Sequence, residues 1–132
     1  MVTMKKYPFK RKNGDSLITI PCRVGIDTIA LALDTGASHT TFDLTQILML
    51  GHSINEAVRM EQVETGGGIV ETYVFILPSI TCLGITRKNI EVSAYDFFAF
   101  NIVADFDGVL GLDFLENVKF CIDLKQKEIT IQ

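Results

Sequence analysis

The residues best suited to chemistry form the run from Asp34 to Ser38, which reads Asp-Thr-Gly-Ala-Ser. The run follows the apolar segment Ile29–Leu33, which is typical of a buried β-strand. A strand that delivers an aspartate into a Thr-Gly turn can present its carboxylate for acid–base chemistry. The motif occurs once, whereas chemistry that uses such a turn needs two carboxylates. The sequence therefore predicts that two copies of the chain work as a pair.

The bulk composition bounds the class of protein. The chain has 132 residues, 48% of them hydrophobic and 21% charged, which fits one globular domain. Its net charge of −4 argues against a general nucleic-acid partner, because a phosphate backbone requires a basic surface. Apolar runs of about five residues are far shorter than a membrane helix, and the N-terminus lacks an apolar signal core. We therefore expect no nucleic-acid partner, no membrane partner and a cytoplasmic location.

The N-terminal segment, residues 1–15, is interpreted as a polar, basic and solvated arm. A nucleic-acid-binding or membrane-binding arm is the alternative. Residues 16–132 are then expected to form a single domain. The basic cluster of the arm comprises Lys5, Lys6, Lys10, Arg11 and Lys12.

The cysteines are predicted to be reduced core residues. Cys22, Cys82 and Cys121 are odd in number, widely spaced, and lie in or beside predicted strands. With His39 and His52, they do not have the spacing of a zinc site. No metal site is expected.

Most of the chain is predicted to form short β-strands separated by turns. A short helix is expected between Asp43 as N-cap and Gly51 as stop, with one or two helical turns over Leu112–Glu116. The fold class is therefore mainly β, with a barrel-like or sandwich core and one or two short helices. The predicted strands are 17–24, 28–33, 57–64, 69–77, 78–83, 89–94, 109–111, 118–124 and 128–131.

Two further motifs complete the pattern. The glycine-rich segment Thr65–Gly68 separates two strands of a predicted hairpin, and Asp-Gly-Val-Leu-Gly-Leu-Asp-Phe-Leu runs from Asp107 to Leu115. With the motif at Asp34, these segments resemble the retropepsin-like aspartic proteases from Leu17 to the C-terminus. The ending Gly-x-Asp-Phe-Leu is more similar to prokaryote-type and cellular members than to viral ones. The resemblance implies a retropepsin-like acid-protease barrel and an aspartic endopeptidase without a cofactor.

The resemblance also implies a role for each motif. Asp34 from each subunit of a homodimer would activate one water molecule, and an extended peptide or protein would be the substrate. The glycine-rich hairpin would be the flap that closes over that substrate. The other implied sites are Thr35 and Gly36 for dyad support and dimer grip, Ala37, Ser38, Gly66, Gly67, Gly68 and Ile69 for substrate binding, and Val109, Leu110 and Gly111 for the structural loop under the dyad.

These assignments have alternatives. Asp34 could be a capping aspartate at a strand end, and the glycine-rich segment a flexible hairpin loop. The whole protein could be a catalytically weak or inactive peptide- or protein-binding module on the same fold. It could also be the protease domain of a longer polyprotein or regulatory protein.

Several other residues near these motifs have more than one interpretation. Asp113 is interpreted as a helix-start residue rather than a second catalytic acid, and Asp105 and Asp107 as surface carboxylates. His39 is interpreted as a structural or surface histidine, with a substrate pocket as the alternative. About half of the phenylalanines between 97 and 106 are expected in the core, and the rest are left open between the core, a second subunit and substrate.

Two features depart from the viral pattern. In viral members the chain ends interleave into an intersubunit sheet; here Glu128–Gln132 could still do so, whereas the basic arm is not expected to do so in the same way. Ser38 and Leu112 stand where viral members pair an aspartate with an arginine. The geometry and strength of the dimer are therefore left open.

Overall fold

The computed structural model describes residues 4–14, 17–102 and 104–132, and the secondary structure is mostly β. One short α-helix, α1 (Leu44–Met49), and 3₁₀ turns at Ile54–Glu56 and Phe98–Phe100 accompany the strands. The strands are β1 (Lys5–Pro8), β2 (Thr19–Val24), β3 (Asp27–Leu33), β4 (Thr41–Asp43), β5 (Arg59–Thr65), β6 (Gly68–Cys82), β7 (Ile85–Tyr95), β8 (Gly108–Leu110), β9 (Phe120–Asp123) and β10 (Glu128–Ile131).

Strand pairing closes a six-stranded barrel. The order is β2-β3-β8-β4-β7-β6, and β6 pairs back onto β2 between Cys22↔Cys82 and Val24↔Ile80. Strand β5 extends the sheet beyond β6. Side chains that are at most 1% exposed fill the barrel interior, so the inward-facing apolar side of the barrel strands is buried. The predicted mainly β, barrel-like fold is confirmed. The largest of these side chains are Phe42, Phe75, Phe114, Ile20, Leu31, Leu77 and Leu110.

Two parallel strands determine which residues meet at their ends. β3 runs beside β8, with Leu31 opposite Gly108 and Leu33 opposite Leu110. Because the strands are parallel and in this register, the residues that follow them leave the sheet side by side. Asp34 and Gly111, which are 77 residues apart in sequence, therefore become neighbours.

Helix α1 begins as predicted. The Asp43 side chain accepts a hydrogen bond from the Thr45 amide at 3.4 Å, so Asp43 is the N-cap. The helix ends before Gly51, which has a φ of +98° and can adopt the left-handed conformation without strain. Asp43 also accepts from the Phe97 amide at 3.3 Å, so the cap ties α1 to the segment after β7.

A smaller sheet holds both ends of the described chain. Its order is β1-β10-β9, all antiparallel, and Phe9 beyond β1 is only 5% exposed. The segment expected to be a solvated arm thus contains a strand and a core residue. A domain boundary at residue 15 stays a prediction, because residues 15 and 16 lie outside the described ranges.

Strand β10 has no free edge for pairing with a second chain. Each edge of β10 is already paired within the chain, one with β1 and the other with β9. The interpretation that Glu128–Gln132 could interleave with a second chain is therefore wrong for the paired residues Glu128–Ile131, since no backbone edge is left for a partner.

The cysteine prediction is wrong for two of the three residues. Cys22 and Cys82 are opposite each other in the β2–β6 pairing and form a disulfide, with a Cα–Cα distance of 4.7 Å. Both are buried at 1% exposure, so the expectation of a core location holds while the expectation of free thiols does not. Cys121 is free and exposed. Pairing of distant strands, which spacing along the chain does not reveal, brings the two sulfurs together.

Two predicted elements have different shapes. β6 continues through Pro78, where a break between two strands was expected. It pairs with β5 up to Val74 and with β2 from Ile80, so the proline lies in an interval where that side of the strand is unpaired. Residues 112–117 form consecutive turns rather than the expected helical turns. No helix in the described residues is long and apolar enough to cross a membrane.

Candidate active site

The Asp34 carboxylate lies in a tight turn just beyond β3. The Gly36 amide donates to its Oδ1 at 2.9 Å, and the Ala37 amide donates to the Asp34 carbonyl at 3.1 Å. A Cβ on Gly36 would lie 3.1 Å from that same Oδ1, so glycine allows the close approach of this amide. Thr35 and Gly36 are exposed. One face of the turn is therefore open to solvent in a single chain.

The segment after β8 holds the turn in place. The Asp34 amide donates to the Leu110 carbonyl at 3.1 Å, and the Leu112 amide donates to the Ala37 carbonyl at 2.9 Å. A Cβ on Gly111 would lie 2.6 Å from the His39 carbonyl carbon and 2.9 Å from the Ala37 carbonyl oxygen. Only glycine therefore lets the two segments approach this closely.

Thr40 and Asp113 form hydrogen bonds that stabilise the same contact on its buried side. Thr40 is fully buried, and its amide donates to both oxygens of Asp113, at 2.9 and 3.0 Å. Its hydroxyl donates to Asp113 Oδ1 at 2.8 Å and accepts from the Gly111 amide at 3.1 Å. Asp113 also accepts from the Phe114 amide at 2.8 Å. The interpretation of Asp113 as a helix start is wrong, because residues 112–117 form turns and its carboxylate instead holds Thr40 behind the Asp34 turn.

The turn opens into a cleft of about 540 Å³. The hairpin of β5 and β6 forms part of its wall, because Val63, Glu64 and Gly66 line the cleft together with Asp34. Gly67, Gly68 and Ile69 are exposed at the hairpin tip and do not line it in this chain. The other lining residues are Gly36, Ala37, Ser38, His39, Thr41, Tyr95, Phe97, Ile102, Phe106 and Val109.

The comparisons with known proteins agree with this geometry. Residues 20–114, which include the Asp34 turn, the segment after β8 and the cleft-lining hairpin, match the family described as Aspartyl protease. This chain belongs to the aspartyl protease family. Its fold is similar to that of a retropepsin-like aspartic protease from Rickettsia conorii, with a TM-score of 0.70 and 22% sequence identity. That match covers 98% of this chain and 91% of the other. No curated protein matches the sequence.

Within this retropepsin-like fold, the phenylalanine-rich segment divides between core and surface. Phe97 is buried, Phe106 lines the cleft, and Phe98 and Phe100 are 83% and 49% exposed. Tyr95 packs against Phe97 and Phe100, with ring centroids 5.0 and 5.5 Å away. Burial, and then the charge of Asp43, raises the pKa of Tyr95, so its hydroxyl stays neutral in the cleft wall.

The polar residues beside the aspartyl protease motif have local partners. Ser38 Oγ is 2.9 Å from His39 Nδ1, and both side chains line the cleft, so the histidine borders the site. Leu112 is 44% exposed and forms no counterpart of the viral ion pair. Asp107 accepts from the Ala30 amide at 2.9 Å and so fastens β8 to β3, whereas Asp105 is exposed and pairs with Lys12 at 2.7 Å.

One ion pair braces the hairpin that borders the cleft. Arg59 of β5 donates to both oxygens of Glu91 on β7, at 2.8 and 2.7 Å. Hydrogen bonding from Arg59 lowers the pKa of Glu91, and the same bond raises the pKa of Arg59. Both side chains are exposed, which limits the contribution to stability.

Sequence reasoning missed Thr40 and Tyr95 as parts of the site. Thr40 lies six residues after Asp34, and its type gives no signal until Gly111 and Asp113 are known to be adjacent. Tyr95 follows a predicted strand, which is a weak signal by itself. Across the described residues, no group of three or more His, Cys, Asp or Glu side chains is arranged to hold a metal ion.

Proposed function

We propose that this aspartyl protease family member is an endopeptidase in which two chains form one active site. The observation that carries the proposal is the Asp34 carboxylate, which borders the cleft in a turn whose outer face is open. Two such carboxylates held close together would share one proton, because like charges at short range do not both ionise. The ionised carboxylate would take a proton from water, and the protonated one would polarise the scissile carbonyl.

The remaining roles follow from the positions of the residues. Thr35 and Gly36 lie on the exposed face of the turn and would support the dyad and grip the second chain. Gly66, Gly67, Gly68 and Ile69 form the hairpin tip that would close over an extended peptide. Ala37 and Ser38 would bind the substrate backbone, with Val109, Leu110 and Gly111 as the loop beneath the dyad. The apolar cleft wall favours apolar residues at the scissile bond.

A cytoplasmic location stays a prediction. It was based on short apolar runs and the lack of an apolar signal core, and the Cys22–Cys82 disulfide argues against it, because such bonds are rare in reducing compartments.

A cleavage assay tests the activity. The parent protein and Asp34→Asn are incubated with a diverse peptide pool from acidic to neutral pH, and products are identified by mass spectrometry. We expect cleavage by the parent alone, because the amide cannot serve as the base. Equal cleavage by both would refute the mechanism. No cleavage by a parent protein that is a dimer would favour the peptide-binding module.

Mixing the two proteins tests whether one site needs two chains. If pairs form at random, an equal mixture at constant total protein retains about one quarter of the parent activity, since only parent–parent pairs hold two aspartates. Independent sites would retain about one half. The second result would refute the shared dyad.

A further inference from the structure

The outer strand of the small sheet has an open edge. In the described residues β9 pairs with β10 on one side, and no strand pairs with it on the other. Natural proteins protect such edges with lysine, proline or a bulge. β9 reads Phe-Cys-Ile-Asp and has no lysine or proline, and Ile122 at its edge is 38% exposed. The edge is therefore apolar and accessible.

The hydrogen bonds of β10 determine which groups lie on that edge. The Gln132 amide donates to the Lys119 carbonyl at 3.0 Å. Lys119 therefore forms a hydrogen-bonded pair with Gln132, the residue that follows β10. Hydrogen-bonded and non-hydrogen-bonded pairs alternate along an antiparallel ladder. The amide and carbonyl of Cys121, two residues after Lys119, therefore also point toward β10. Phe120 and Ile122 therefore direct their amides and carbonyls toward the open edge.

A second copy of the chain would fit this edge in one register. Antiparallel pairing about a two-fold axis requires that outward-facing residues lie opposite outward-facing residues, which excludes any shift by one. When Phe120 faces the partner's Ile122, Cys121 faces the partner's Cys121 and Lys119 faces the partner's Asp123. The two apolar pairs and the two opposite-charge pairs are all favourable. A shift by two residues separates the charges.

We propose that β9 pairs with the partner's β9 about a two-fold axis at Cys121. Two three-stranded sheets would then form one continuous six-stranded sheet. This inference rests on the proposed function, because it names the surface that would bring the two Asp34 turns into one site. It also replaces Glu128–Ile131, whose two edges are already occupied, as the route of pairing between chains.

The register makes the axis testable by crosslinking. Cys121 would belong to a non-hydrogen-bonded pair with a Cα–Cα distance of about 4.5 Å, which a disulfide can span. It is exposed and is the free cysteine of the chain. Mild oxidation, or a short bis-maleimide, should convert the parent to a covalent dimer that remains active after dilution. Cys121→Ser should stay uncrosslinked and active. Lys88→Cys in that background, which moves the thiol to exposed β7, should not crosslink.

The outcomes separate this inference from the proposed function. A covalent Cys121 dimer with no cleavage of any peptide would refute the proposed function and leave the interface standing. Cleavage by a protein that is a dimer in ultracentrifugation, without crosslinking by either reagent, would overturn the interface alone. An active parent whose crosslinked form is inactive would also overturn the β9 interface, since pairing at Cys121 would then keep the two Asp34 turns apart.

Charge exchange tests the register independently. Lys119→Glu and Asp123→Lys each place like charges opposite each other in a homodimer, and we expect dimerisation to weaken on the order of tenfold. An equal mixture restores both opposite-charge pairs in the heterodimer, so its activity should exceed the mean of the separate variants. Lys88→Glu, with the same charge change on β7, should behave like the parent. A mixture no more active than that mean would overturn the register.

Discussion

Replacing Asp113 with alanine is expected to destabilise the protein by about 2–4 kcal/mol. The carboxylate accepts the amide and the hydroxyl of Thr40, at distances from 2.8 to 3.0 Å, and Thr40 is fully buried. Water cannot replace the lost acceptor without opening the structure. A buried donor left unsatisfied costs about 1–3 kcal/mol, and the hydroxyl adds about 1 kcal/mol more.

The conservative variant refines the expectation. Asp113→Asn keeps one carbonyl oxygen that can accept from Thr40, so it should lose about 1 kcal/mol. Asp27→Ala is the matched control, because Asp27 is exposed at the start of β3 and surface changes usually stay within about 0.5 kcal/mol. The expected order of stability is parent and Asp27→Ala, then Asp113→Asn, then Asp113→Ala.

Urea denaturation followed by circular dichroism measures these differences. All four proteins are compared at one protein concentration without reducing agent, because dimerisation and the disulfide both affect the midpoint. If Asp113→Ala unfolds at the same urea concentration as Asp27→Ala, the contact with Thr40 does not stabilise the Asp34 turn.

Three other changes test separate parts of the structure. Gly111→Ala should lower kcat/KM at least about 100-fold, because its Cβ would displace the backbone that follows the Asp34 turn; unchanged kinetics would contradict the close packing. The double variant Cys22→Ala/Cys82→Ala should lose about 2–4 kcal/mol in urea, because the disulfide closes a long loop; a reductant should destabilise the parent and leave the variant unchanged. Because Arg59 holds the pKa of Glu91 below its ordinary value of 4.5, this pairing stabilises the fold above that pH and is lost as the pH falls below it. Between neutral pH and pH values below 4.5, the free energy of unfolding of Glu91→Gln should therefore fall less than that of the parent. An identical fall would refute a contribution of the Arg59–Glu91 pair to stability.

Elements whose signals are local could be predicted from the sequence. The run Ile29–Leu33 is a buried strand that ends at Asp34, and Asp43 caps the helix that Gly51 follows. Apolar periodicity, capping and turn chemistry act over a few residues, so the local sequence carries them. The mainly β architecture follows from the same signals.

Elements that depend on distant pairing could not be predicted in the same way. β1 forms because β10 offers it an edge, although its own residues are basic and polar. Pro78 is tolerated within β6 because the side of the strand that pairs with β5 and β2 is unpaired in that interval, and Leu112–Glu116 forms turns where local preference indicated a helix. In each case the pairing of segments remote in sequence, or its absence, decides the conformation.

The sequence by itself indicated the chemistry that we propose for this protein. A single Asp-Thr-Gly turn after a buried strand, with a second motif 73 residues later, indicated one carboxylate per chain and the need for a second. The tertiary structure decided what surrounds that carboxylate. The parallel contact of β3 and β8 brings Gly111 against the turn, Asp113 anchors Thr40, and Cys22 meets Cys82. These contacts join residues far apart along the chain, so only the closed barrel, which fixes their register, brings them within bonding distance.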